Sequence, residues 1–249
     1  MKNIAFSLSA YEELINIIKN SNRKTIFFDE LIKGKNGLMM RHDIDFSPSK
    51  ACQIAEIEYR YKVFSTYFVM LKSDLYNLND INNIQYIKHI ISLGHKVGLH
   101  FDASFYDKKN ISLELACKKE CDILANKINC EIDIISFHRP EKKFIGRVSK
   151  IAGRNHTYMP LFIKDTNYCS DSQGSWRFGE PEKLINNHLI KNIQLLTHPI
   201  WWTTPENMTP GEKIDFHLRG EIEEIKSLAA KNCKPYKIYL ELKGKQIAK

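Results

Sequence analysis

Between residues 37 and 138, four short apolar runs alternate with three helical patterns, and this alternation constrains the fold more than any other feature. The runs are GLMMRHDID, VFSTYFVML, KVGLHFD and EIDIISFH, starting at Gly37, Val63, Lys96 and Glu131. Each is rich in β-branched, aromatic or large aliphatic residues and reads as a strand covered on both faces. The first helix should open at Ser47-Pro48, with Ala51, Ile54, Ala55 and Tyr59 facing the core. The second is capped by Asp80, carries Ile84, Ile87 and Ile91, and stops at Gly94. The third starts at Ser112 with Leu113, Cys117, Cys121, Leu124 and Ile128 on one face. Strands separated by helices at this spacing predict a parallel sheet with right-handed crossovers, an α/β fold.

The remainder is less regular. Residues 141–190 have weak periodicity and read as loops with short strands, whereas Asn192–Trp202 is a further buried strand with a polar tip. A last helix carries Ile214, Leu218, Ile222 and Ile225, and Ser9–Glu12 resembles a capping box near the start. No internal repeat or linker is visible, so one domain over 1–249 is expected, with flanking helices around a core at about 37–202.

Composition narrows the class. With 43% hydrophobic and 11% aromatic residues, the chain has enough apolar surface to order itself. No apolar run approaches the roughly 18 residues of a membrane span. Glu12 and Glu13 interrupt what would have to be a signal sequence, so no transmembrane segment and a cytoplasmic location are expected. The six cysteines form no CxxC pair. The net charge is +8, but the lysines are dispersed, so no nucleic-acid partner is expected; such a field suits anionic small molecules or lipid surfaces.

The polar residues collect at strand ends. Asp43 and Asp45 end the first strand, His100 and Asp102 the third, His138 and Arg139 the fourth, and His198 the late one. C-terminal strand ends of parallel α/β folds converge on one rim, where catalytic groups gather. Asp43 and Asp45, one residue apart, point the same way from an extended strand. Two such carboxylates share a proton or are held ionised by a cation, and histidine supplies the neutral ligand that completes a zinc-like site. One Asp then binds the ion, the other takes a proton from water, and an opposed His protonates the leaving group. His42 is expected to hydrogen-bond within the rim, and Arg139 to pair with Asp43 or Asp171 if it is structural. His89, His156, His188 and His217 read as surface.

RHDID, GHKVGLHFD, SFHRP and LLTHP, in this order, resemble the motifs of NodB-type polysaccharide deacetylases, metal-dependent carbohydrate esterases. The resemblance spans about residues 37–202 and implies a single-domain distorted (β/α)7 barrel. It implies Asp43 as catalytic base and Asp45 and His100 as ligands of a divalent metal, most simply zinc. His95 corresponds to the non-ligating His that opens the second motif. Arg139 and Pro140 match a substrate-bordering Arg-Pro, and His198 matches the general acid. SDSQGSW is similar to a motif that makes Asp171 the orienter of that acid and Trp176 a wall of the pocket. One position departs: Ser104 stands where the family has its second metal-binding His. His138 is the preferred replacement and Asp102 the alternative.

The resemblance implies removal of an N-acyl group, most simply acetyl, from an amino sugar. Together with the expected location it points to a small-molecule or lipid-linked precursor in surface polysaccharide biosynthesis. Two other readings stand beside it: a degraded, non-catalytic sugar-binding or regulatory protein on the same barrel, for which Ser104 would be the signature, and another metal hydrolase such as a cyclic amidase.

Overall fold

All four apolar runs are strands in the computed structural model, which describes residues 6–107 and 111–247. Helices α1 (Leu8–Asn20) and α2 (Phe28–Ile32) precede β1 (Leu38–Ile44). Then come α3 (Pro48–Tyr61), β2 (Ser65–Val69), α4 (Ile81–Ser92), β3 (Lys96–Phe101), α5 (Ser104–Asp107), α6 (Leu113–Ile128) and β4 (Ile134–Phe137). The irregular region supplies β5 (Asn155–His156), α7 (Pro160–Ile163), β6 (Asn167–Ser170) and α8 (Pro181–Asn186). β7 (Ile193–Thr197) and α9 (Pro199–Trp202) close a compact unit that runs to Thr203. The seven strands are all parallel, in the order β5-β4-β3-β2-β1-β7-β6. This is a distorted (β/α)7 barrel whose two edge strands, β5 and β6, do not pair.

Local chemistry explains the boundaries. Ser47 caps α3 with its hydroxyl, Pro48 sits in the first turn, and Lys62 ends the helix in the left-handed region. Tyr59 is 52% exposed, contrary to the expected core face; Ile57 and Glu58 take the inward positions instead. Asp80 caps α4, and Gly94, at φ 93°, turns the chain into β3. The cap of α1 is Ser7, which accepts from Ala10 N, not Ser9. The capping-box pattern at Ser9 misleads because the helix already begins at Leu8, which puts Ser9 inside the first turn, where its hydroxyl meets that of Ser7 at 2.8 Å.

Alternation along β1 divides its side chains between the barrel interior and the helical layer. Met39 packs inside with Ile26, Phe28, Phe68, Ile134 and Phe162, forming an apolar floor. Gly98 on β3 makes room for it: a Cβ there would lie 2.6 Å from the Phe68 ring and 2.8 Å from the Ile134 carbonyl. Above this floor the interior turns polar.

The second unit, from Thr204, holds α10 (Pro210–Asn232) and α11 (Lys234–Ile247). Thr209 and Glu212 form a reciprocal capping box for α10. The expected apolar stripe is not its buried face. Lys213 and His217 are buried, with Lys213 Nζ donating to Thr204 Oγ1 and the Pro205 carbonyl, while Leu218, Ile222 and Ile225 are exposed. No helix of the described residues is long and apolar enough to cross a membrane.

Candidate active site

Arg41 lies two residues before Asp43, on the same face of β1 and wholly buried. Its Nε and Nη2 donate to the two Asp43 carboxylate oxygens at 2.9 and 2.8 Å. Nη1 donates to Gln194 Oε1, and Nη2 also lies within hydrogen-bond reach of Ser136 Oγ and the Tyr158 hydroxyl. Burial alone would raise the Asp43 carboxyl, but Arg41, helped by His100, holds it far below the usual carboxylate range. Asp43 is therefore a fixed, ionised carboxylate. This pairing corrects the expectation for Arg139, which is largely exposed at φ 47° and approaches Asp102 at 4.0 Å, not Asp43 or Asp171. Arg41 was legible: a cation inside an apolar strand must meet an anion on its own face.

Asp45 and His100 meet beside this pair. His100 Nε2 is 3.1 Å from Asp45 Oδ1 and 3.6 Å from Asp43 Oδ2. His100 Nδ1 faces the Ser136 carbonyl at 3.2 Å, which can only accept, so Nδ1 carries the proton and Nε2 of the neutral ring is bare. Asp45 Oδ1 is buried and makes no hydrogen bond. An unshared imidazole nitrogen facing an unsatisfied carboxylate oxygen is a donor set suited to a cation. In the free protein burial disfavours protonation of His100, but Asp43 and Asp45 outweigh it and raise the imidazole.

His138 completes the cluster. One donor atom each from Asp45, His100 and His138 lie within 4.8 Å of one another. The His138 backbone N–H donates to the Phe101 carbonyl at 2.9 Å, prolonging β4 towards the rim. Its Nδ1 pairs with Asp102 Oδ2 at 3.0 Å. Ser104, which stands where the resembled motif has a second His, donates to Asp102 Oδ1 from both its backbone N–H and its hydroxyl. Asp102 is thus occupied in holding His138, and Ser104 in holding Asp102. Arg139 Nε lies 3.2 Å from His138 Nε2, on a side chain exposed enough to swing aside.

Across the rim, His198 caps α9 and faces Asp171. Its Nδ1 is 2.6 Å from Asp171 Oδ1, and its backbone N–H donates to the same carboxylate. Trp202 Nε1 donates to Asp171 Oδ2 at 2.8 Å, so this buried carboxylate is well satisfied. His198 Nε2 then points back towards Asp45 Oδ2, 3.9 Å away. Burial pushes this imidazole down, but Asp171, with Asp45 and Asp43, brings it up to about 9. Trp176 packs on Phe6 and Trp202 with ring centroids 5.8 Å from each.

Other histidines lie elsewhere. His42 does not belong to the rim; alternation turns it outward, where Nε2 meets Glu58 at 2.8 Å and Nδ1 meets Thr197 at 2.6 Å. His95 accepts from Ser65 N and faces the Ala55 carbonyl, a closed pair of bonds that leaves no ligand atom. His156 and His217, expected at the surface, are buried.

No protein-family model and no curated protein matches the sequence. Among solved structures, a CE4 family pseudoenzyme from Bacillus anthracis is similar, at 15% identity and a TM-score of 0.40, over 76% of this chain and 62% of that one. A mutant of that pseudoenzyme with restored enzymatic activity gives the same identity and TM-score, over 64% of its chain. The chain thus spans less than two thirds of the pseudoenzyme's length. The Streptococcus pyogenes deacetylase PplD, solved in complex with acetate, is similar at 13% identity and a TM-score of 0.42, over 82% of this chain and 84% of that one.

Proposed function

We propose that the chain is a metal-dependent hydrolase that removes an N-acyl group, in the simplest case acetyl, from an amino sugar. One observation carries this reading: the three-donor cluster of Asp45, His100 and His138 lies between an ionised carboxylate and an imidazole–carboxylate pair. Asp45, His100 and His138 would hold the ion, and the buried, unbonded Asp45 Oδ1 fits that role. A divalent ion such as zinc, when bound there, supplies Lewis acidity towards the acyl oxygen and lowers the pKa of a coordinated water to about 7.

The chain's own groups then have distinct tasks. Asp43, kept ionised by Arg41, accepts the proton of the attacking water. His198, its Nδ1 proton held by Asp171, presents Nε2 to the departing amine and donates a proton to it. Trp202 keeps Asp171 in place through its indole N–H. Arg139, exposed at the rim, is placed to meet an anionic part of the substrate. The net charge of +8 agrees with a phosphate-bearing small-molecule or lipid-linked precursor.

Acetate release from N-acetylated amino sugars, free and as nucleotide diphosphate derivatives, tests the reading in the presence of Zn²⁺. Zinc-dependent release that is lost in Asp43→Asn, with zinc still bound, supports it. A protein that binds zinc through these residues but releases acetate from none of these compounds would instead support a degraded, sugar-binding role.

A further inference from the structure

A second set of unlike metal-ligating groups lies on the helical layer. Cys52 and Glu56 are four residues apart on one face of α3, and His89 reaches them from α4. One donor atom each from Cys52, Glu56 and His89 lie within 4.8 Å of one another. Cys52 Sγ is 4.0 Å from Glu56 Oε1, and His89 Nε2 is 3.4 Å from the same oxygen. Zinc bonds of about 2.0–2.3 Å at tetrahedral angles place N and O ligands roughly 3.3 Å apart, and S and O ligands roughly 3.6 Å apart. The first separation is already met, and Glu56, more than half exposed, can take up the few tenths of an ångström in the second.

The hydrogen bonds around His89 give a second, independent indication. The Ser92 hydroxyl donates its one proton to the His89 carbonyl at 2.7 Å, so towards His89 Nδ1, 3.4 Å away, it can only accept. With the ring proton on Nδ1, the tautomer this contact favours, Nε2 turns a lone pair towards the Glu56 carboxylate 3.4 Å away. Two acceptors facing each other at 3.4 Å call for a proton or a cation between them. The same logic applies to His100 and Asp45 at the rim, but here a thiol is the third member. Glu56 and His89 also border an open depression of about 530 Å³, which leaves space for a water as fourth ligand.

We propose that Cys52, Glu56 and His89 form a second site, which binds a thiophilic divalent ion of the zinc class and clips α3 to α4. Binding forms a metal–sulfur bond and releases the Cys52 proton to solvent. The rim cluster of Asp45, His100 and His138 contains no cysteine, so a thiolate signature distinguishes the two sites. This inference does not depend on catalysis.

Cobalt(II) is the probe. Titrated into the full chain, it should produce the intense near-ultraviolet absorption of a cobalt–thiolate bond, saturating once the rim and this site are both filled and abolished by excess Zn²⁺. The Cys52→Ser chain, which keeps the other five cysteines, should show none of it. His89→Ala, a change at an exposed position, should weaken cobalt binding read from this band at least tenfold, and it keeps the test open should Cys52→Ser fail to fold. Absence of the band in the wild type at millimolar cobalt would overturn the proposal. So would a band unchanged by Cys52→Ser, or an affinity unchanged by His89→Ala.

Discussion

Two buried polar clusters lie on opposite faces of β1, and they are built on opposite rules. Outside the barrel, Glu58 accepts from His42 Nε2, the Tyr11 and Tyr67 hydroxyls and Ser65 Oγ, all within 2.6–2.8 Å. His42 is in turn closed by Thr197. This network is satisfied within itself, as a buried charge requires for stability. Inside the barrel, Asp43 is matched by Arg41, yet Asp45 Oδ1 is left without a hydrogen bond although His100 Nε2 lies only 3.1 Å away. The comparison separates a charge buried to hold the sheet on its helices from charges kept incomplete to receive something.

The largest effect expected from this contrast is on turnover. Asp43→Asn keeps the shape but removes the proton acceptor, and should lower kcat by about 10²–10⁴-fold with zinc still bound, measured by acetate release. Arg41→Met should act on the fold first. It leaves Asp43 buried and without its cation, for a loss of about 3–5 kcal/mol in urea unfolding. If Arg41→Met is as stable as the wild type, the inner pair is not the buried ion pair described.

The outer cluster should report through acid titration. Burial alone would raise the Glu58 carboxyl, but His42, His95 and the Tyr11 hydroxyl bring it down to about 2. A carboxyl depressed in the folded state stabilises above its unfolded pKa, near 4.3, and that stability is lost as the pH falls from there through 2. The two values differ by roughly two units, worth about 3 kcal/mol at 1.36 kcal/mol per unit. Wild type minus Glu58→Gln, compared by unfolding across this window, should therefore shrink towards acid pH; a constant difference would contradict the assignment. Zinc affinity should not change in Glu58→Gln. The smallest effect belongs to Asp102→Asn, which loosens His138 without removing a ligand and should cost about 10–100-fold in zinc affinity.

The sheet, most helix starts and the convergence of Asp43, Asp45, His100, His138 and His198 were legible because strand periodicity and chain order carry them, whereas Asp171 was pointed to only by the resemblance of SDSQGSW to a known motif. Other features depend on contacts between distant segments. Arg41 precedes Asp43 by two residues, but the Gln194, Ser136 and Tyr158 that its Nη1 and Nη2 also reach lie on or beside other strands. His42 reads as a rim residue by position, yet its direction is set by alternation and its partner Glu58 by the packing of α3 on β1. Ser104 looked like a lost ligand, and only the bonds to Asp102 reveal what it does instead. The stripe on α10 shows the limit of periodicity, since Ile222 and Ile225 keep the helical spacing but remain exposed.

Diffraction from zinc-soaked crystals, recorded at the zinc absorption edge, tests the rim directly. An anomalous peak should lie about 2.0–2.2 Å from a carboxylate oxygen of Asp45 and from ring nitrogens of His100 and His138. A rim without zinc, or zinc held by Asp102 in place of His138, would contradict it.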